Sequence, residues 1–502
     1  MGGVAGVFPP PLSSRVCATV TNVTALERDV LALFEGSASR LHFDDGISLS
    51  APSLVADGLR LATWLGEQGV AAGNRVALQL PNSADYVRLL LACAAGGFVG
   101  VSVNSRYSAD EAADLVERSG AQIIVRNGPN GLVDSHWVSS APMPRRSRRM
   151  NAFVVFTTSG TTSRPKMVLQ RQCSIVDHAI DAAALLGYTS DDTVMAVMPL
   201  CGTFGLGSLM AAVAAGSRVI VTDFELGRTA GLIQSERVTC VNGSDDMFHR
   251  LLEHGTDLSS IRLGGYARFN TSLDGIVERA AEVGATLTGL YGMSEVQALF
   301  TLRDPSGDAV DRTRAGGTLA SPSAKYRIVE GELQLRGPSL FAGYLAEGGE
   351  CVDADLTAQH QDNGWFRTGD LAEPNGDRGF EFIARMADVL RLGGFLVSPI
   401  EIEAVLLGDS QVVAAQVVSI DLPRGARPVA FVLLSNGSVS TSAKLFDEAA
   451  AIRRCREQLA RYKVPVRVIV LAEFPMTPGP NGTKVQKTKL RELGASLLEV
   501  HS

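Results

Sequence analysis

The sequence lacks several features that would assign it to a simple class. Its 46 Lys and Arg residues are outnumbered by 53 Asp and Glu, for a formal net charge of -7, which argues against a general nucleic-acid partner. Seven cysteines are scattered without C-x-x-C spacing, a pattern typical of reduced cytoplasmic thiols and not of a zinc site. No apolar run reaches membrane-spanning length, and the first residues show no apolar signal core. We therefore expect a cytoplasmic protein that binds neither nucleic acid nor membrane.

Internal repeats, low-complexity segments and the common nucleotide loop G-x-x-x-x-G-K-S/T are also missing. What is present is 46% hydrophobic and 20% charged residues, an ordinary balance for a soluble globular protein with an ample core. A chain of 502 residues exceeds one ordinary core, so two or more domains are expected. The one basic cluster, residues 145–149, lies in a Pro/Ser-rich loop. It is interpreted as a solvated linker, with an interaction patch as the alternative.

Apolar runs alternate with amphipathic segments through the first three quarters of the chain. Such alternation predicts a layered α/β architecture with largely parallel sheets. The predicted helices are 54–69 and 85–95, and the predicted strands are 75–80, 98–103, 194–198, 218–222 and 285–290.

A second unit is predicted to begin near Arg385. Gly393 and Gly394 form a turn, and a helix opens at Pro399 with acids in its first turn. Strands at 412–419, 429–434 and 466–471 and a helix at 444–459 complete a small α+β domain. The predicted domains are 1–386 and 387–502.

The segment after the strand-like run 152–155 has the composition of a phosphate-binding loop. Six hydroxyl residues, one glycine and Lys166 fall within residues 156–166. Hydroxyls and free backbone N–H groups form a nest for oxyanions, and lysine adds a point charge. The alternative is a polar Ser/Thr-rich loop without a ligand.

Three further motifs follow in order: Tyr291-Gly292-Met293-Ser294-Glu295, Trp365-Phe366-Arg367-Thr368-Gly369-Asp370-Leu371, and Gly482-Thr483-Lys484-Val485-Gln486-Lys487. Together with the first loop, they resemble the adenylate-forming superfamily of acyl-CoA synthetases, peptide-synthetase adenylation domains and beetle luciferases. The resemblance runs from about Leu54 to Arg491. It implies a large layered α/β N-terminal domain, a small mobile α+β C-terminal domain, and an active site between them.

The resemblance also implies roles for individual residues, with ATP or AMP, Mg²⁺ and coenzyme A as cofactors. Ser294 would donate to the α-phosphate, and Glu295 with Thr161 would hold Mg²⁺. Asp370 would accept the ribose hydroxyls beside Arg385, and Lys484 would bridge the substrate carboxylate and the α-phosphate. The β- and γ-phosphates would be wrapped by Thr158, Ser159, Gly160, Thr161, Thr162, Ser163 and Lys166, and adenine would meet Tyr291, Gly264, Gly265 and Tyr266.

A carboxylic acid and CoA are the implied reactants. Gly393 and Gly394 match the loop that admits the pantetheine arm, which favours a CoA ligase over a luciferase. No carrier-protein motif is present, so a peptide-synthetase module is disfavoured. The acid is expected to meet Cys201, Gly202, Thr203, Phe204, Gly289, Gly292 and Met293. Several of these are small, so we expect room for a bulky, largely apolar acid.

Taken singly, each motif has another interpretation. Glu295 alone is consistent with a surface carboxylate, and Asp370 in Thr-Gly-Asp is consistent with a turn. The segment 292–296 partly matches the G-x-S-x-G elbow of serine hydrolases, but Val296 replaces its last glycine.

The chain also departs from the family pattern. Ser163 and Thr483 replace glycines, Ala387 replaces a polar hinge residue, and 201–204 replaces an aromatic-His step. These changes concern the triphosphate loop and the hinge more than the AMP and CoA contacts. The asymmetry is similar to that of acyl-CoA ligases of platensimycin and platencin biosynthesis, a route to antibiotics.

Three hypotheses follow from the sequence. One is a complete ATP-dependent acyl-CoA ligase. Another is a ligase that only thioesterifies a preformed acyl adenylate, supplied by a separate adenylating enzyme. The third is a non-catalytic protein that binds acyl adenylates, which the presence of Lys484, Glu295 and Gly393-Gly394 disfavours.

Overall fold

The computed structural model describes residues 29–127, 133–137, 152–158, 165–269, 273, 275–349, 352–386, 388–392, 395–422, 425–435, 446–479 and 482–499. Two large sheets and the helices between them form the part before residue 386. Short apolar runs become strands there because both of their faces are covered. Among the described residues, no helix is both long and apolar enough to cross a membrane.

The first sheet has the strand order β18-β8-β7-β4-β3-β5-β6. Its centre is parallel, whereas β8, β18 and β6 pair antiparallel. The strands are β3 (Arg75–Gln79), β4 (Val99–Ser102), β5 (Ile123–Asn127), β6 (Val133–Trp137), β7 (Ala152–Thr157), β8 (Met167–Arg171) and β18 (Gly343–Tyr344).

The second sheet changes from parallel to antiparallel at β13. Its order is β16-β17-β20-β21-β15-β14-β13-β12-β11-β9-β10-β1-β2, and β19 pairs with β20. The strands are β1 (Arg40–Phe43), β2 (Ser48–Ser50), β9 (Thr193–Ala196), β10 (Arg218–Val221), β11 (Cys240–Ser244), β12 (Leu263–Ala267), β13 (Leu287–Met293), β14 (Gln297–Leu302), β15 (Gly316–Leu319), β16 (Lys325–Val329), β17 (Glu332–Arg336), β19 (Gln361–Asp362), β20 (Trp365–Pro374) and β21 (Gly379–Arg385).

The helices of this part begin and end at recognisable caps. Ser50, Ser83 and Ser108 each accept a hydrogen bond from a backbone N–H of the first turn. Gly97 and Gly120 end two helices in the left-handed conformation. The helices are α1 (Val30–Glu35), α2 (Ala51–Glu67), α3 (Ala84–Gly96), α4 (Ala109–Ser119), α5 (Gln172–Leu185), α6 (Thr203–Ala215), α7 (Leu226–Ser235), α8 (Asp245–Glu253), α9 (Ile276–Glu282), α10 (Ala309–Arg312) and α11 (Ala354–His360).

The main apolar core lies between the two sheets and includes α6. Almost every residue of α6 is buried, so it is a core helix without a polar face. His178 of α5 is also buried there, and its Nε2 donates to the carbonyl of Ala298. Burial lowers the pKa of His178 to about 4, so this imidazole is neutral in the folded protein.

The part after residue 388 has cores of its own. Its apolar clusters contain only residues from Leu390 onward. A sheet β24-β25-β26 lies against helices at its faces, and two hairpins flank it. The elements are β22 (Leu390–Leu392), β23 (Phe395–Val397), α12 (Pro399–Leu407), β24 (Val412–Leu422), β25 (Gly425–Leu434), α13 (Glu448–Gln458), a 3₁₀ turn (Arg461–Lys463), β26 (Arg467–Val470), β27 (Met476–Gly479), β28 (Gly482–Val485) and α14 (Lys487–Glu499).

The predicted fold class is confirmed, with a large α/β part followed by a smaller α+β part. The predicted elements exist with boundaries that move by a few residues. The helix predicted over 54–69 starts earlier, at Ala51, because Ser50 is its cap. The helix predicted over 444–459 is Glu448–Gln458, and residues 444 and 445 lie outside the described residues. The domain boundary at 386/387 stays a prediction, and the basic cluster 145–149 lies outside the described residues.

Candidate active site

A cluster around Asp370 is formed by neighbouring strands of the second sheet. Asp370 on β20 pairs directly with Arg385 on β21, so the strand register brings them together. Tyr291, at the end of β13, donates from Oη to Asp370 Oδ2 at 2.6 Å. Arg385 Nη1 lies 3.0 Å from Asp370 Oδ1. We call these three residues the Asp370 cluster.

The Asp370 carboxylate is deeply buried. The residue is 1% exposed, whereas the Arg385 side chain is 48% exposed. Oδ1 is a buried oxygen that accepts no hydrogen bond from the described residues, because Arg385 approaches as an ion pair without hydrogen-bond geometry. Burial raises the pKa of Asp370, and the Arg385 charge and the Tyr291 hydroxyl oppose that rise. A buried carboxylate oxygen without a donor is suited to accept a ligand hydroxyl.

Two aromatic rings fix Tyr291. Phe380 meets it edge-on at 5.1 Å between ring centroids, and Phe382 lies 5.8 Å away. Gly292, next along β13, must be glycine because a Cβ would lie 2.5 Å from Ala298 Cα. Gly289 is similarly enclosed, 2.0 Å from the Arg314 carbonyl oxygen. At Gly289 and Gly292, backbone atoms therefore fill the space that a side chain would occupy. Neither glycine leaves an open space.

A second cluster lies around Lys166, just before β8. Lys166 Nζ is 2.8 Å from His360 Nε2 and 4.9 Å from the centre of the Tyr344 ring. Tyr344 Oη donates to Glu295 Oε1 at 2.8 Å. We call Lys166, Glu295, Tyr344 and His360 the Lys166 cluster.

Charge and burial compete in the Lys166 cluster. Burial lowers the pKa of Lys166, and the negative charge of Glu295 opposes that shift. Burial also raises the pKa of Glu295, which is 4% exposed. The hydrogen bond from Tyr344 and the charges of Arg385 and Lys166 oppose the rise at Glu295. Because the charge of Arg385 acts on Asp370, Glu295 and Lys166, the two clusters share one electrostatic environment.

The turn between β13 and β14 holds Ser294 and Glu295. Gln170 of β8 donates from Nε2 to the Ser294 carbonyl at 2.8 Å, and Phe341 N donates to the Glu295 carbonyl at 2.8 Å. Strand β14 then has left-handed backbone at Gln297, with φ of 70°, a conformation that is strained for a residue other than glycine. The turn is thus fixed from both sides before any ligand binds.

The predicted phosphate loop leaves a tight hairpin. Thr158 N donates to the Lys166 carbonyl at 3.0 Å, which closes the base of the loop between β7 and β8. The other predicted loop residues, Ser159, Gly160, Thr161, Thr162 and Ser163, lie outside the described residues, as do Ala387, Gly393 and Gly394. The backbone of Lys484 lies in the hairpin of β27 and β28, opposite Thr477.

The remaining predicted residues lie at two places in the core. Cys201, Gly202, Thr203 and Phe204 surround the start of α6. The gap beside Thr203, which His178 and Gln297 also line, is too narrow for a water molecule. Gly265 and Tyr266 lie on β12, where the Tyr266 ring joins an apolar cluster and its hydroxyl donates to the Thr313 carbonyl at 3.1 Å.

The structure adds Tyr344 and His360, which sequence reasoning did not single out. His360 lies 194 positions from Lys166 in the chain. A lone histidine at the end of a short helix carries no recognisable signal in a single sequence. Their place in the site is visible only in three dimensions.

Comparisons with known proteins identify the family. The family "AMP-binding enzyme" matches residues 29–345, and "AMP-binding enzyme C-terminal domain" matches residues 401–479. A CoA ligase of Mycobacterium tuberculosis, named for a methyl-dioxo-octahydroindenyl propanoyl group, is 29% identical over 85% of this chain and 90% of its own. A 2-succinylbenzoate–CoA ligase of Bacillus cereus is 28% identical over 85% of this chain and 89% of its own.

Solved structures show the same fold. ATP-bound MatB from Rhodopseudomonas palustris superposes with a TM-score of 0.77 at 22% identity, covering 92% of this chain and 98% of that one. MenE from Bacillus subtilis with ATP and magnesium gives a TM-score of 0.75 at 23% identity, covering 91% and 98%. These findings confirm the resemblance to the adenylate-forming superfamily, and this chain belongs to the AMP-binding enzyme family.

Proposed function

We propose that this protein is an acyl-CoA ligase that joins a carboxylic acid to CoA through an acyl adenylate. The observation that carries the proposal is the buried Asp370 Oδ1, which has no hydrogen-bond donor among the described residues. Leaving a buried acceptor without a hydrogen bond costs about 1–3 kcal/mol, and the ion pair with Arg385 at 3.0 Å offsets part of that cost. A ribose hydroxyl would supply the missing hydrogen bond once the half-exposed Arg385 shifts.

The Asp370 cluster would then bind the nucleoside. Asp370 accepts the ribose hydroxyls, Arg385 balances its charge, and Tyr291 provides an aromatic surface for adenine. Gly265 lies on the neighbouring strand β12, where a Cβ would be 2.5 Å from Asn242 Oδ1, so a larger residue would displace the Asn242 side chain. Tyr266 supports that strand through its bond to Thr313.

The Lys166 cluster would bind the phosphates. Lys166 supplies a cation at the base of the hydroxyl-rich loop Ser159–Ser163, which would wrap the β- and γ-phosphates. Glu295 fits Mg²⁺, because this ion takes one or two carboxylates and otherwise keeps waters and substrate phosphates. The described residues contain no group of three or more His, Cys, Asp or Glu that could hold a metal. A magnesium bound by Glu295, with Thr161 as the second protein ligand, would neutralise phosphate charge.

In the first half-reaction, a carboxylate oxygen attacks the α-phosphorus of ATP, and the bond to pyrophosphate breaks. Two anions meet, so the reaction depends on cations and fixed donors more than on an acid or a base. Lys484 would bridge the carboxylate and the α-phosphate, and Ser294 would donate to the α-phosphate. The hydrogen bond from Gln170 fixes the Ser294 backbone.

In the second half-reaction, the CoA sulfur attacks the acyl carbon, and AMP leaves with the bonding electrons of the acyl–phosphate bond. The C-terminal domain, residues 387–502, would rotate between the two steps. Lys484 would then withdraw, and glycines at 393 and 394 would leave room for the pantetheine arm.

The acid would bind beside Cys201, Gly202, Thr203, Phe204 and Met293, and the gap beside Thr203, which is too narrow for a water molecule, would have to widen to admit it. We propose a bulky, largely apolar acid. Gly289 and Gly292 do not contribute space for this acid, because backbone atoms fill the position of a side chain at both. Support comes instead from relatives named for ring-bearing acids, such as a feruloyl-CoA synthase of an Amycolatopsis species that is 28% identical.

The test is a panel of acids with ATP, Mg²⁺ and CoA, following AMP and acyl-CoA together. Equal amounts of the two products from at least one bulky apolar acid are expected. Activity confined to acetate and propionate would contradict the proposed substrate class. Asp370→Ala should lower the yields of both products together, and Glu373→Ala, an exposed change on the same strand, is the matched control.

The alternative, a ligase that only thioesterifies a preformed acyl adenylate, is supported by the substitutions at Ser163 and Ala387. If the loop needs left-handed backbone at Ser163, serine costs about 1–2 kcal/mol there. A synthetic acyl adenylate with CoA would then react faster than acid, ATP and CoA, and Ser163→Gly would narrow the gap. Exchange of pyrophosphate into ATP at the overall turnover rate would reject this alternative.

In such a non-adenylating ligase, a separate enzyme would supply the acyl adenylate. One further hypothesis remains. A non-catalytic protein that binds acyl adenylates would convert neither substrate set. The proposed link to platensimycin and platencin biosynthesis has no support from the relatives described above, and it stays a hypothesis.

A further inference from the structure

His360 occupies a defined place beside Lys166, the last residue of the predicted phosphate loop. Its Nε2 is 2.8 Å from Lys166 Nζ, and its ring meets Tyr344 at 5.5 Å and Phe366 at 6.4 Å between centroids. Tyr344 thus contacts both the imidazole and Lys166, whose Nζ is 4.9 Å from the centre of its ring. His360 is therefore fixed before a ligand arrives.

The chemistry of the pair determines which group donates. A lysine ammonium has three N–H donors and no acceptor, so His360 Nε2 must be the unprotonated nitrogen that accepts. Burial and the neighbouring Lys166 charge lower the pKa of His360, which agrees with a neutral ring. Two N–H donors of Lys166 remain for a ligand.

The position of His360 does not depend on the loop itself. Helix α11 is capped by Asp353, which accepts from Leu356 N at 2.8 Å. Tyr344 N donates to Thr357 Oγ1 at 3.0 Å, which ties α11 to β18. Strand β18 in turn pairs with β8, the strand that follows Lys166. The histidine is thus carried by packed elements, whereas the lysine has a flexible four-carbon side chain.

We infer that His360 is a positioning residue that holds Lys166 toward the triphosphate of the nucleotide. By accepting one hydrogen bond from the ammonium, it restricts the lysine and leaves two donors for phosphate oxygens. The inference rests on the proposed function, since it assigns a nucleotide triphosphate to this loop. It adds a residue that acts through Lys166 and does not itself touch substrate.

Two substitutions of His360 distinguish the effect of its hydrogen-bond acceptor from the effect of its aromatic ring. His360→Phe keeps an aromatic ring against Tyr344 but removes the acceptor, and His360→Gln keeps an acceptor but removes the ring. Dissociation constants for AMP and for ATP with Mg²⁺ are measured by calorimetry on the full chain. His360→Phe should weaken ATP about tenfold, which is about 1.4 kcal/mol, and change AMP less than about twofold. His360→Gln should recover most of the ATP affinity, and His254→Phe, an exposed histidine, should change neither.

A double-mutant cycle tests the route through the lysine. In a Lys166→Met background, His360→Phe should have almost no further effect on ATP, because the group it positions is gone. An equal loss in both backgrounds, or equal weakening of AMP and ATP, would overturn the inference. So would wild-type ATP affinity in His360→Phe.

Failure of the proposed function would be seen separately. Conversion of a synthetic acyl adenylate and CoA involves no triphosphate, so it tests ligase chemistry without His360. If the wild-type protein makes no acyl-CoA by this route, the proposed function fails. The ATP and AMP titrations still decide the role of His360.

Discussion

The two clusters of the candidate site are built in different ways. The Asp370 cluster comes from adjacent strands β13, β20 and β21, and the register of β20 and β21 alone brings Asp370 opposite Arg385. The Lys166 cluster joins a loop end, a turn, a strand and a helix end from four places in the chain. Sheet pairing fixes the first, whereas packing of α11 and β18 fixes the second.

This difference has a chemical consequence. In the Asp370 cluster, one buried anion is balanced by one cation and one hydroxyl, and an acceptor remains. In the Lys166 cluster, two basic groups lie in contact, and burial lowers the pKa of both. The first cluster is suited to hydroxyl donors and the second to an anion. The predictions below test that division, from the largest expected effect to the smallest.

Lys484→Met removes the proposed bridging cation and leaves both clusters intact. Loss of one preorganised electrostatic contact in a transition state lowers kcat by about 10²–10³-fold. We expect a loss of that size in acid-dependent pyrophosphate exchange, with AMP and ATP affinity unchanged. The matched control is Lys489→Met, an exposed lysine of α14. If the Lys484→Met variant exchanges pyrophosphate at the wild-type rate, Lys484 does not bridge the two reacting groups.

The two clusters can be compared only at pH values where the protein stays folded, and the buried His178 makes its stability depend on pH. His178 has a pKa of about 4 in the folded protein against 6.5 as its ordinary value. The unfolded chain therefore binds the proton first, and stability is full above pH 6.5 and is lost as pH falls toward 4. The free energy of unfolding should fall by about 3 kcal/mol, because each unit of difference between the folded and unfolded pKa values corresponds to about 1.36 kcal/mol. Denaturant unfolding at several pH values should show it, and His178→Gln should flatten the curve by a similar amount. An unchanged curve in that variant would contradict the assignment.

Asp370→Ala should weaken AMP and ATP equally, because both carry the same ribose. Losing hydrogen bonds to a charged group costs about 1–3 kcal/mol. Calorimetric titration of both nucleotides checks this, with Glu373→Ala as the control. If the variant loses affinity for ATP but keeps its affinity for AMP, Asp370 acts on the phosphates, and the proposed division between the two clusters is wrong.

Tyr344→Phe keeps the ring beneath Lys166 and removes the donor to Glu295. We expect ATP with Mg²⁺ to weaken about tenfold, since a bond to a buried carboxylate is lost, at about 1.5 kcal/mol. Raising Mg²⁺ should recover part of the affinity, and AMP should bind as before. Tyr326→Phe, which removes a hydroxyl near Phe380 instead, is the control. If the affinity for AMP falls as much as the affinity for ATP, Tyr344 supports the fold of the whole site.

Much of the Asp370 cluster could be predicted from the sequence. Tyr291 and Asp370 lie in recognisable motifs, Arg385 is implied by the resemblance, and the structure brings Tyr291 and Arg385 into contact with Asp370. The sequence also predicted the α/β alternation, because the periods of the apolar residues differ between strands and helices. Element boundaries depended on caps such as Ser50.

The Lys166 cluster could be predicted only in part. Lys166 and Glu295 belong to motifs, but Tyr344 and His360 reach them through long-range packing that no local pattern encodes. The sequence predicts open space at Gly289 and Gly292, but it does not show that backbone atoms of Arg314 and Ala298 fill that space. A missing side chain indicates close approach as readily as a cavity.

The most direct test of the division between the clusters is the ratio of ATP to AMP affinity in three proteins: wild type, Asp370→Ala and His360→Phe. The ratio should be unchanged in Asp370→Ala, where both nucleotides weaken together. In His360→Phe it should fall about tenfold, which is about 1.4 kcal/mol. The same ratio in all three proteins would contradict a separate phosphate-binding cluster at Lys166.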